Sequence, residues 1–332
     1  MSSSTQFLDV QAQTPSVQLS LSQVGVTGVE KVIRLTHDGV EQLFSAKFEC
    51  NVELGPAQKG AHMSRFEEVV NEVIGEVVLG ESGFKAEALA ERIATRVRER
   101  QNARRAEVTV SARFPEHKPA PVSRIQTQEI YNLYGVAVAT EGNPPTTRRM
   151  VGVTAQGMTA CPCAQEIITA GARERLEEDG FSEDEIQRIL RAVPVATHNQ
   201  RGLGTLFIGL PEGSDLQLDA ETLVQIVEQS MSSEIYELMK RSDEAHVVAK
   251  AHQQPRFVED CVREMIRGVV EGLPQLSGDT FVSARQENLE TIHQHNVVAE
   301  RFGVLSEIRA ELDTGVASPT HMTRRAWLDA GA

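Results

Sequence analysis

Two cysteines separated by one proline, Cys161 and Cys163, form the part of the sequence best suited to chemistry. Pro162 fixes φ and has no backbone N–H, so a strand that runs into this stretch must end there. One or both thiols are therefore expected at a corner between a strand and a helix. A thiolate in such a place can hold a metal or attack a substrate. Cys161 is the stronger candidate, and the role of Cys163 is left open.

Possible partners for these thiols occur further along the chain, at His198, Glu234, His293 and His295. His198 begins the run His-Asn-Gln-Arg-Gly, which concentrates hydrogen-bonding groups in a loop before a strand. His293 and His295 alternate, so only one of them is expected to face the cysteines. Glu234 is predicted at the end of a helix, where a divalent cation would offset the unfavourable helix dipole. The short Cys-Pro-Cys spacing disfavours a structural zinc site and favours a catalytic metal with an open position.

The composition is that of a globular protein, with 40% hydrophobic residues and a formal net charge of −14. This charge disfavours nucleic-acid binding, which needs a basic surface. No apolar run approaches the roughly 18 residues of a membrane span, and the N-terminus lacks a signal-peptide pattern. We therefore expect a cytoplasmic protein that does not contact membranes. Cys50 and Cys261 fit buried core positions, because one falls in a strand pattern and the other on an apolar helix face.

Strands and helices are predicted twice in the same order: strand, strand, helix, helix, strand, strand. Strands of the first set are predicted at residues 17–35, 42–54, 105–114 and 130–140. Its helices are predicted to begin at Ser64, as a cap, and near Ala86. Strands of the second set are predicted at 150–159, 204–210, 280–284 and 297–304, with helices at 219–231, capped by Asp219, and at 257–273.

This order predicts two tandem units. The first covers residues 16–145 and the second covers residues 146–316, preceded by a mobile leader over 1–15 and followed by a loosely held tail over 317–332. The second unit contains an acidic helical insert at about residues 170–195. An exposed decoration is the favoured interpretation of this insert, and a lid over the site is the alternative.

Five segments together resemble the GTP cyclohydrolases of the IB class, and most closely their archaeal MptA-type branch. The segments lie at residues 158–163, 198–201, 238–244, 257–260 and 287–295. The resemblance extends over nearly the whole chain from about residue 16. It implies an α+β tunnelling fold, in which tandem units with antiparallel sheets and paired helices on one face join into a barrel. It also implies at least a homodimer with active sites at subunit interfaces.

For function, the resemblance implies an enzyme that uses GTP and water, opens the imidazole ring and releases formate from C8. In the MptA-type branch the product is 7,8-dihydroneopterin 2′,3′-cyclic phosphate, formed with loss of diphosphate on a route to methanopterin or folate. One alternative is the IB product, 7,8-dihydroneopterin triphosphate. Another is a non-catalytic purine- or pterin-binding protein of the same fold. The long insert between Cys163 and His198 favours the MptA-type product, since IB relatives are shorter there.

The matching segments also imply roles for individual residues. The metal shell that they imply holds ferrous iron, with zinc or manganese as alternatives, and consists of Cys161, His198, Glu234 and His293. Cys161 and His198 thereby belong to the catalytic set, which His295 completes as a group that moves protons, with Cys163 as an alternative.

Substrate binding is implied for Gln200, Arg201 and Glu290. Gln200 and Arg201 are suited to the oxygens of the ring or the phosphates. The sequence departs from related enzymes at Ala249, where those enzymes carry a glutamate that anchors the guanine. The anchor is therefore left open among Glu244, Glu259 and Glu290.

Overall fold

The computed structural model describes residues 9–37, 40–77 and 85–330. Residues 1–8 of the predicted leader lie outside this part. Within residues 9–15, the carbonyl groups of Gln11 and Gln13 accept hydrogen bonds from the Lys59 N–H, at 3.1 and 2.8 Å. This end of the leader is thus attached to the loop that precedes the first helix.

The described residues form strands and helices with the following bounds. The strands are β1 (Leu21–His37), β2 (Val40–Leu54), β3 (Arg105–Pro119), β4 (Gln126–Thr140), β5 (Thr146–Ala160), β6 (Asn199–Leu210), β7 (Ser233–Glu234), β8 (Phe281–Leu289) and β9 (Val297–Val304). The helices are α1 (Met63–Val77), α2 (Ala86–Gln101), α3 (Pro162–Glu178), α4 (Glu183–Ala192), α5 (Ala220–Ser230), α6 (Arg241–Gln253), α7 (Val258–Gly272), α8 (Leu305–Thr314) and α9 (Arg324–Asp329).

One antiparallel sheet runs through the described part of the chain in the order β1-β2-β3-β4-β5-β6-β8-β9, and β7 pairs with β5. The predicted α+β class with an antiparallel sheet is confirmed. The predicted order occurs twice, first as β1, β2, α1, α2, β3, β4 and then as β5, β6, α5, α7, β8, β9. The second set carries α3 and α4 after β5, and β7 and α6 after α5. The division into two units stays a prediction, because β4 and β5 pair within the same sheet.

Helices cover one face of the sheet and bury two apolar cores. The first core lies beneath α1 and α2 and includes Phe48, Phe66 and Ile93. The second lies beneath α5 and α7 and includes Leu206 and Met265. Both cores follow from the alternation of apolar residues along the strands and from their spacing of three and four along the helices.

Cys50 and Cys261 are each buried in one of these cores, as predicted. Burial raises the pKa of both thiols to about 12. Both thiols therefore stay protonated near neutral pH and act as small apolar side chains.

Helix starts were predicted with mixed success. Asp219 caps α5, because its carboxylate accepts a hydrogen bond from the Thr222 N–H at 3.2 Å. Ser64 is the second residue of α1 and not its cap. The acidic insert forms the exposed helix pair that was predicted, but its first helix already begins at Pro162. Among the described residues, no helix is long and apolar enough to span a membrane.

The other face of the sheet carries α9, which the sequence predicted as part of a loosely held tail. That prediction is wrong for α9, because Trp327 is 2% exposed and packs with Phe281 and Leu328. The Trp327 ring lies 5.7 Å from that of Phe281, and its Nε1 donates a hydrogen bond to the Asp279 carbonyl at 2.9 Å. The guanidinium of Arg148 lies 4.9 Å from the Trp327 ring. Helix α9 is therefore held by aromatic packing. A helix of six residues is too short for its apolar periodicity to predict such packing.

Replacing Trp327 by Ala is expected to lower the free energy of unfolding by about 3–5 kcal/mol, as for other buried aromatic residues. Urea unfolding followed by circular dichroism measures this change. Arg325→Gln on the same helix is the control, since the Arg325 side chain is 73% exposed. A loss no larger for Trp327→Ala than for the control would show that α9 does not pack on the sheet in solution.

A cluster of ionisable side chains joins the β3–β4 hairpin to α5. The buried carboxylate of Glu228 accepts hydrogen bonds from Lys118 Nζ at 2.6 Å and from the Tyr131 hydroxyl at 2.8 Å. Glu116 lies nearby, and its Oε2 is buried without a hydrogen-bond partner among the described residues. Burial, followed by the negative charges of Glu221 and Glu228, raises the pKa of Glu116 to about 7.

This pKa makes the stability of the protein depend on pH. The folded state binds more protons at Glu116 than the unfolded state between about pH 4.5 and 7, so its contribution to stability falls as the pH rises through this range. At pH 8, Glu116→Gln is expected to stabilise the protein by up to about 2 kcal/mol, because partial solvent exposure reduces the full effect.

Urea unfolding of Glu116→Gln at pH 5 and pH 8 measures this dependence. The stabilisation should be large at pH 8 and small at pH 5, whereas Glu53→Gln on β2 controls for a lost charge elsewhere on the sheet. An equal effect of Glu116→Gln at both pH values would contradict the raised pKa.

Candidate active site

The Cys-Pro-Cys stretch forms the corner that the sequence predicted. Strand β5 ends at Ala160, and α3 begins at Pro162, so that Cys161 is the residue that caps α3. The Cys161 N–H donates to the His198 carbonyl at 3.1 Å, and the Thr197 hydroxyl donates to the Cys161 carbonyl at 3.0 Å. Cys161 is partly buried, whereas Cys163 is exposed in the first turn of α3. The corner thus holds Cys161 against the segment that contains His198.

Antiparallel pairing brings three distant segments of the chain to the same edge of the sheet. Ala160 at the end of β5 lies opposite Asn199 at the start of β6. Arg201 of β6 lies opposite Leu289 at the end of β8. Residues 161, 198 and 290 are therefore neighbours, although 129 positions separate the first from the last.

A pocket of about 270 Å³ opens at this edge. Six of its lining residues belong to the predicted site: Cys161, His198, Gln200, Glu290, His293 and His295. The structure thus brings together the predicted metal-binding and substrate-binding residues, with the exception of Glu234 and Arg201.

His198 is oriented by Gln200. The Nδ1 of His198 lies 3.1 Å from Oε1 of Gln200, and Gln200 is buried. An amide oxygen only accepts, so this contact places the proton of a neutral His198 on Nδ1. The lone pair of Nε2 is then available for a metal or a proton.

Glu290 contributes a buried carboxylate that lacks a partner. Its side chain is 6% exposed, and its Oε2 lies 4.0 Å from Nδ1 of His198. This oxygen has no hydrogen-bond partner among the described residues. Because an unpaired buried carboxylate is costly, the arrangement favours a ligand that supplies N–H donors or positive charge at this point.

His293 and His295 lie together in the loop between β8 and β9. Their rings stack with centroids 5.2 Å apart and an angle of 12° between the planes. Both residues line the pocket. The prediction that only one of them faces the site is wrong, because residues 291–295 form bends and do not alternate as a strand does.

Glu234 and Arg201 lie elsewhere. Glu234 belongs to β7, not to the end of a helix, and pairs there with Gly157 of β5. Its carboxylate binds the ammonium group of Lys250. The guanidinium of Arg201 is exposed and donates to Gln156 Oε1 at 2.9 Å. Neither residue is among the described residues that line the pocket.

The sequence did not predict two polar residues of the pocket, Arg256 and Asn288. The Arg256 N–H donates to the Ala160 carbonyl at 3.0 Å, so this residue supports the end of β5. Asn288 is buried and accepts from Gln286 Nε2 at 3.0 Å. Asn288 lies within one of the five segments that resemble the family, and Arg256 lies directly before another. Their positions in or beside these segments could have identified both residues from the sequence.

The donor types in the pocket fit a transition metal. In the described part of the chain, no three His, Cys, Asp or Glu side chains are already arranged as a metal site. Cys161, His198, His293 and His295 nevertheless line one pocket. This mixture of sulfur and nitrogen donors suits iron or zinc better than calcium or magnesium.

Comparison with known proteins yields a family and close relatives. The model of the type I GTP cyclohydrolase folE2 family matches residues 7–299, a range that includes every residue of the pocket. The GTP cyclohydrolase MptA of Methanococcus aeolicus is 41% identical over 92% of this chain and 99% of its own length. The GTP cyclohydrolase MptA of Methanothermobacter thermautotrophicus is 40% identical over 92% of this chain and 96% of its own length.

A solved structure shares the fold. The uricase from Bacillus fastidious matches 92% of this chain and 99% of its own with a TM-score of 0.50 and 8% sequence identity. At this identity the likeness concerns the fold alone. The tunnelling fold that the resemblance implied is thereby confirmed.

Proposed function

The chain belongs to the type I GTP cyclohydrolase folE2 family and is an enzyme of that family, and we propose that it converts GTP and water to 7,8-dihydroneopterin 2′,3′-cyclic phosphate, formate and diphosphate. The observation that carries this proposal is the pocket that combines Cys161, His198 and two further histidines with the unpaired carboxylate of Glu290. The product is supported by the identity of about 40% to relatives named GTP cyclohydrolase MptA. The helix pair α3–α4 between Cys163 and His198 also supports this branch.

We propose that the pocket holds a divalent metal, ferrous iron in the first place and zinc or manganese as alternatives. Cys161, His198 and His293 would hold it, since these residues line the pocket and offer sulfur and imidazole donors. When bound there, such an ion would supply a hydroxide nucleophile near neutral pH. Gln200 acts through His198, because it fixes the imidazole with Nε2 directed away from the amide.

Glu290 is proposed to anchor the guanine in place of the glutamate that related enzymes carry at the position of Ala249. A carboxylate accepts two parallel hydrogen bonds, and guanine offers two such donors at N1 and N2. The unpaired Oε2 of Glu290 supports this role. Glu259 also lines the pocket, whereas Ala249 and Glu244 lie on α6 and are not among the described lining residues.

His295 is proposed to move protons during ring opening. Hydrolysis at C8 requires a proton at the ring nitrogen that leaves the carbon, and an imidazole is suited to this transfer near neutral pH. The stacking of His295 on His293 holds its ring at the pocket. Cys163 is less suited to the task, because its side chain is exposed on α3.

We further propose that the active enzyme is a homo-oligomer in which a second copy completes the site. The pocket of about 270 Å³ is slightly smaller than the roughly 300–1,000 Å³ typical of ligand sites, and a second copy would enlarge it. Strands β1 and β9 end the sheet order in the described part of the chain, and such edges can pair with another copy. A cytoplasmic location and a role in a route to methanopterin or folate complete the proposal.

Metal binding can be tested without measuring activity. Protein loaded anaerobically with Fe(II) or Zn(II) and dialysed is analysed for metal by plasma mass spectrometry. Cys161→Ala and His198→Ala are each expected to weaken binding at least tenfold, because each removes a ligand. Glu234→Gln is expected to keep the metal, since the Glu234 carboxylate is paired with Lys250. Loss of metal in Glu234→Gln would show instead that Glu234 reaches the metal, and metal retained by Cys161→Ala would contradict the proposed shell.

The product can be identified directly by mass spectrometry after anaerobic incubation of the enzyme with GTP and Fe(II). The proposal expects a cyclic phosphate of dihydroneopterin together with formate, and no product with Cys161→Ala. Glu290→Gln is expected to raise the KM for GTP and to keep its metal, because it removes an anchor of the guanine. A triphosphate product would support the IB reaction instead. Intact GTP with each of Fe(II), Zn(II) and Mn(II) would contradict the proposed conversion.

A further inference from the structure

A second cavity, of about 300 Å³, lies on the face of the sheet that carries α9. Its walls come from β6, β8, β9 and the start of α9, and Phe207 and Phe302 are among its lining residues. Phe207 alternates with Leu206 and Ile208, which are buried in the core beneath α5 and α7. The cavity is therefore on the opposite face from that core, and it shares no described lining residue with the candidate active site.

Besides the carboxylate of Glu300, the cavity contains the positive charge of Arg324. Its side chain is partly buried, with the guanidinium carbon 5.0 Å from the centroid of the Phe207 ring. It makes no hydrogen bond or ion pair with the residues that the structure describes. Burial lowers the pKa of Arg324, and the negative charge of Glu107 opposes this shift. Glu107 is itself engaged, because its carboxylate lies 2.9 Å from the guanidinium of Arg105.

The other charged groups of the cavity have hydrogen-bond partners. Arg285 donates to the Glu287 carboxylate at 2.9 Å. Glu300, the acidic residue among the described lining residues, accepts a hydrogen bond from the Ser283 hydroxyl at 3.2 Å. The guanidinium of Arg324 is therefore the group that gains most from a new partner.

Thr323 offers a second donor beside Arg324. Its hydroxyl oxygen accepts a hydrogen bond from the Ala326 N–H at 3.2 Å. The hydroxyl hydrogen has no acceptor among the described residues and can be donated to a ligand in the cavity. The cavity thus combines a fork of guanidinium donors with an adjacent hydroxyl group.

We propose that this cavity binds a small oxyanion, a phosphate or a carboxylate, with Arg324 as its principal ligand. A planar guanidinium binds both groups through two parallel hydrogen bonds. The aromatic walls and the sheet exclude water from the guanidinium, and no described residue forms an ion pair with it. A bound anion would supply that partner. A cavity of about 300 Å³ suits a small ligand. The site is distinct from the proposed GTP site, so each can fail without the other.

Intrinsic fluorescence can report on this site, because Trp327 is the only tryptophan of the chain. Trp327 is on α9 with Arg324, and its ring packs on Phe281, which lines the cavity. The native protein is titrated with inorganic phosphate and, separately, with acetate, at constant ionic strength. We expect a saturable change in fluorescence, and the tighter of the two anions identifies the class of ligand.

Variants of two adjacent arginines make the test specific. Arg324→Gln is expected to weaken the response at least tenfold, and Arg324→Lys, which keeps the charge but not the fork of donors, is expected to give an intermediate affinity. Arg325→Gln should behave as the native protein, because the Arg325 side chain is exposed and pairs with Asp329. Circular dichroism and thermal unfolding establish that each variant is folded. Should Arg324→Gln not fold, the comparison of Arg324→Lys with Arg325→Gln decides.

Three results would overturn the proposal. The first is no saturable response of the native protein to either anion. The second is an equal response in the Arg324 and Arg325 variants, which would show an effect of salt alone. The third is a loss of oligomer mass in Arg324→Gln by light scattering, without any effect of anions on the native protein. In that case the guanidinium would serve a contact between subunits.

Discussion

The antiparallel register of β5, β6 and β8 is the constraint on which the candidate active site depends. These strands pair so that the end of β5, the start of β6 and the end of β8 meet at one edge of the sheet. A shift of the register by one residue would turn every side chain of a strand to the other face. Burial of Leu206 and Val282 in the core beneath α5 and α7 prevents such a shift. The core therefore determines where Cys161, His198 and Glu290 lie, although none of them belongs to it.

The strands and the cysteine corner could be predicted from the sequence because their signals are local. Alternation along residues 42–54 predicts β2, and Pro162 alone explains why β5 ends where it does. The strands predicted at 150–159 and 204–210 are also confirmed, as parts of β5 and β6. Two errors have different causes. The stacking of His293 on His295 follows from bends at residues 291–295, where a strand-like alternation was assumed. The attachment of α9 through Trp327 depends on contacts with distant strands, which a local pattern does not encode.

The structure brings some of the predicted site residues together and separates others, for a physical reason. The residues found together, among them Gln200 and Glu290, stand within a few positions of paired strand ends. Glu234 follows α5 and joins β5 at Gly157, four positions before Cys161, where Lys250 neutralises it. Sequence similarity assigns a residue to a motif, but it does not show which strand the motif pairs with. The register does, and within one chain it leaves Glu234 paired with Lys250 and not among the described residues that line the pocket.

Glu290 and Arg324 show how a fold can reserve a charge for a ligand. Both side chains carry charge into a partly or fully desolvated place, and neither finds a charged partner within hydrogen-bonding distance among the described residues. Glu228 is a contrasting case, because its buried carboxylate accepts hydrogen bonds from the Lys118 ammonium group and the Tyr131 hydroxyl. A charged group that is removed from water without a partner destabilises the folded chain. We therefore expect such a group where a bound ligand supplies the partner. The ligands proposed for the two sites match these charges: guanine would present N–H donors to a carboxylate, and an oxyanion would present acceptors to a guanidinium.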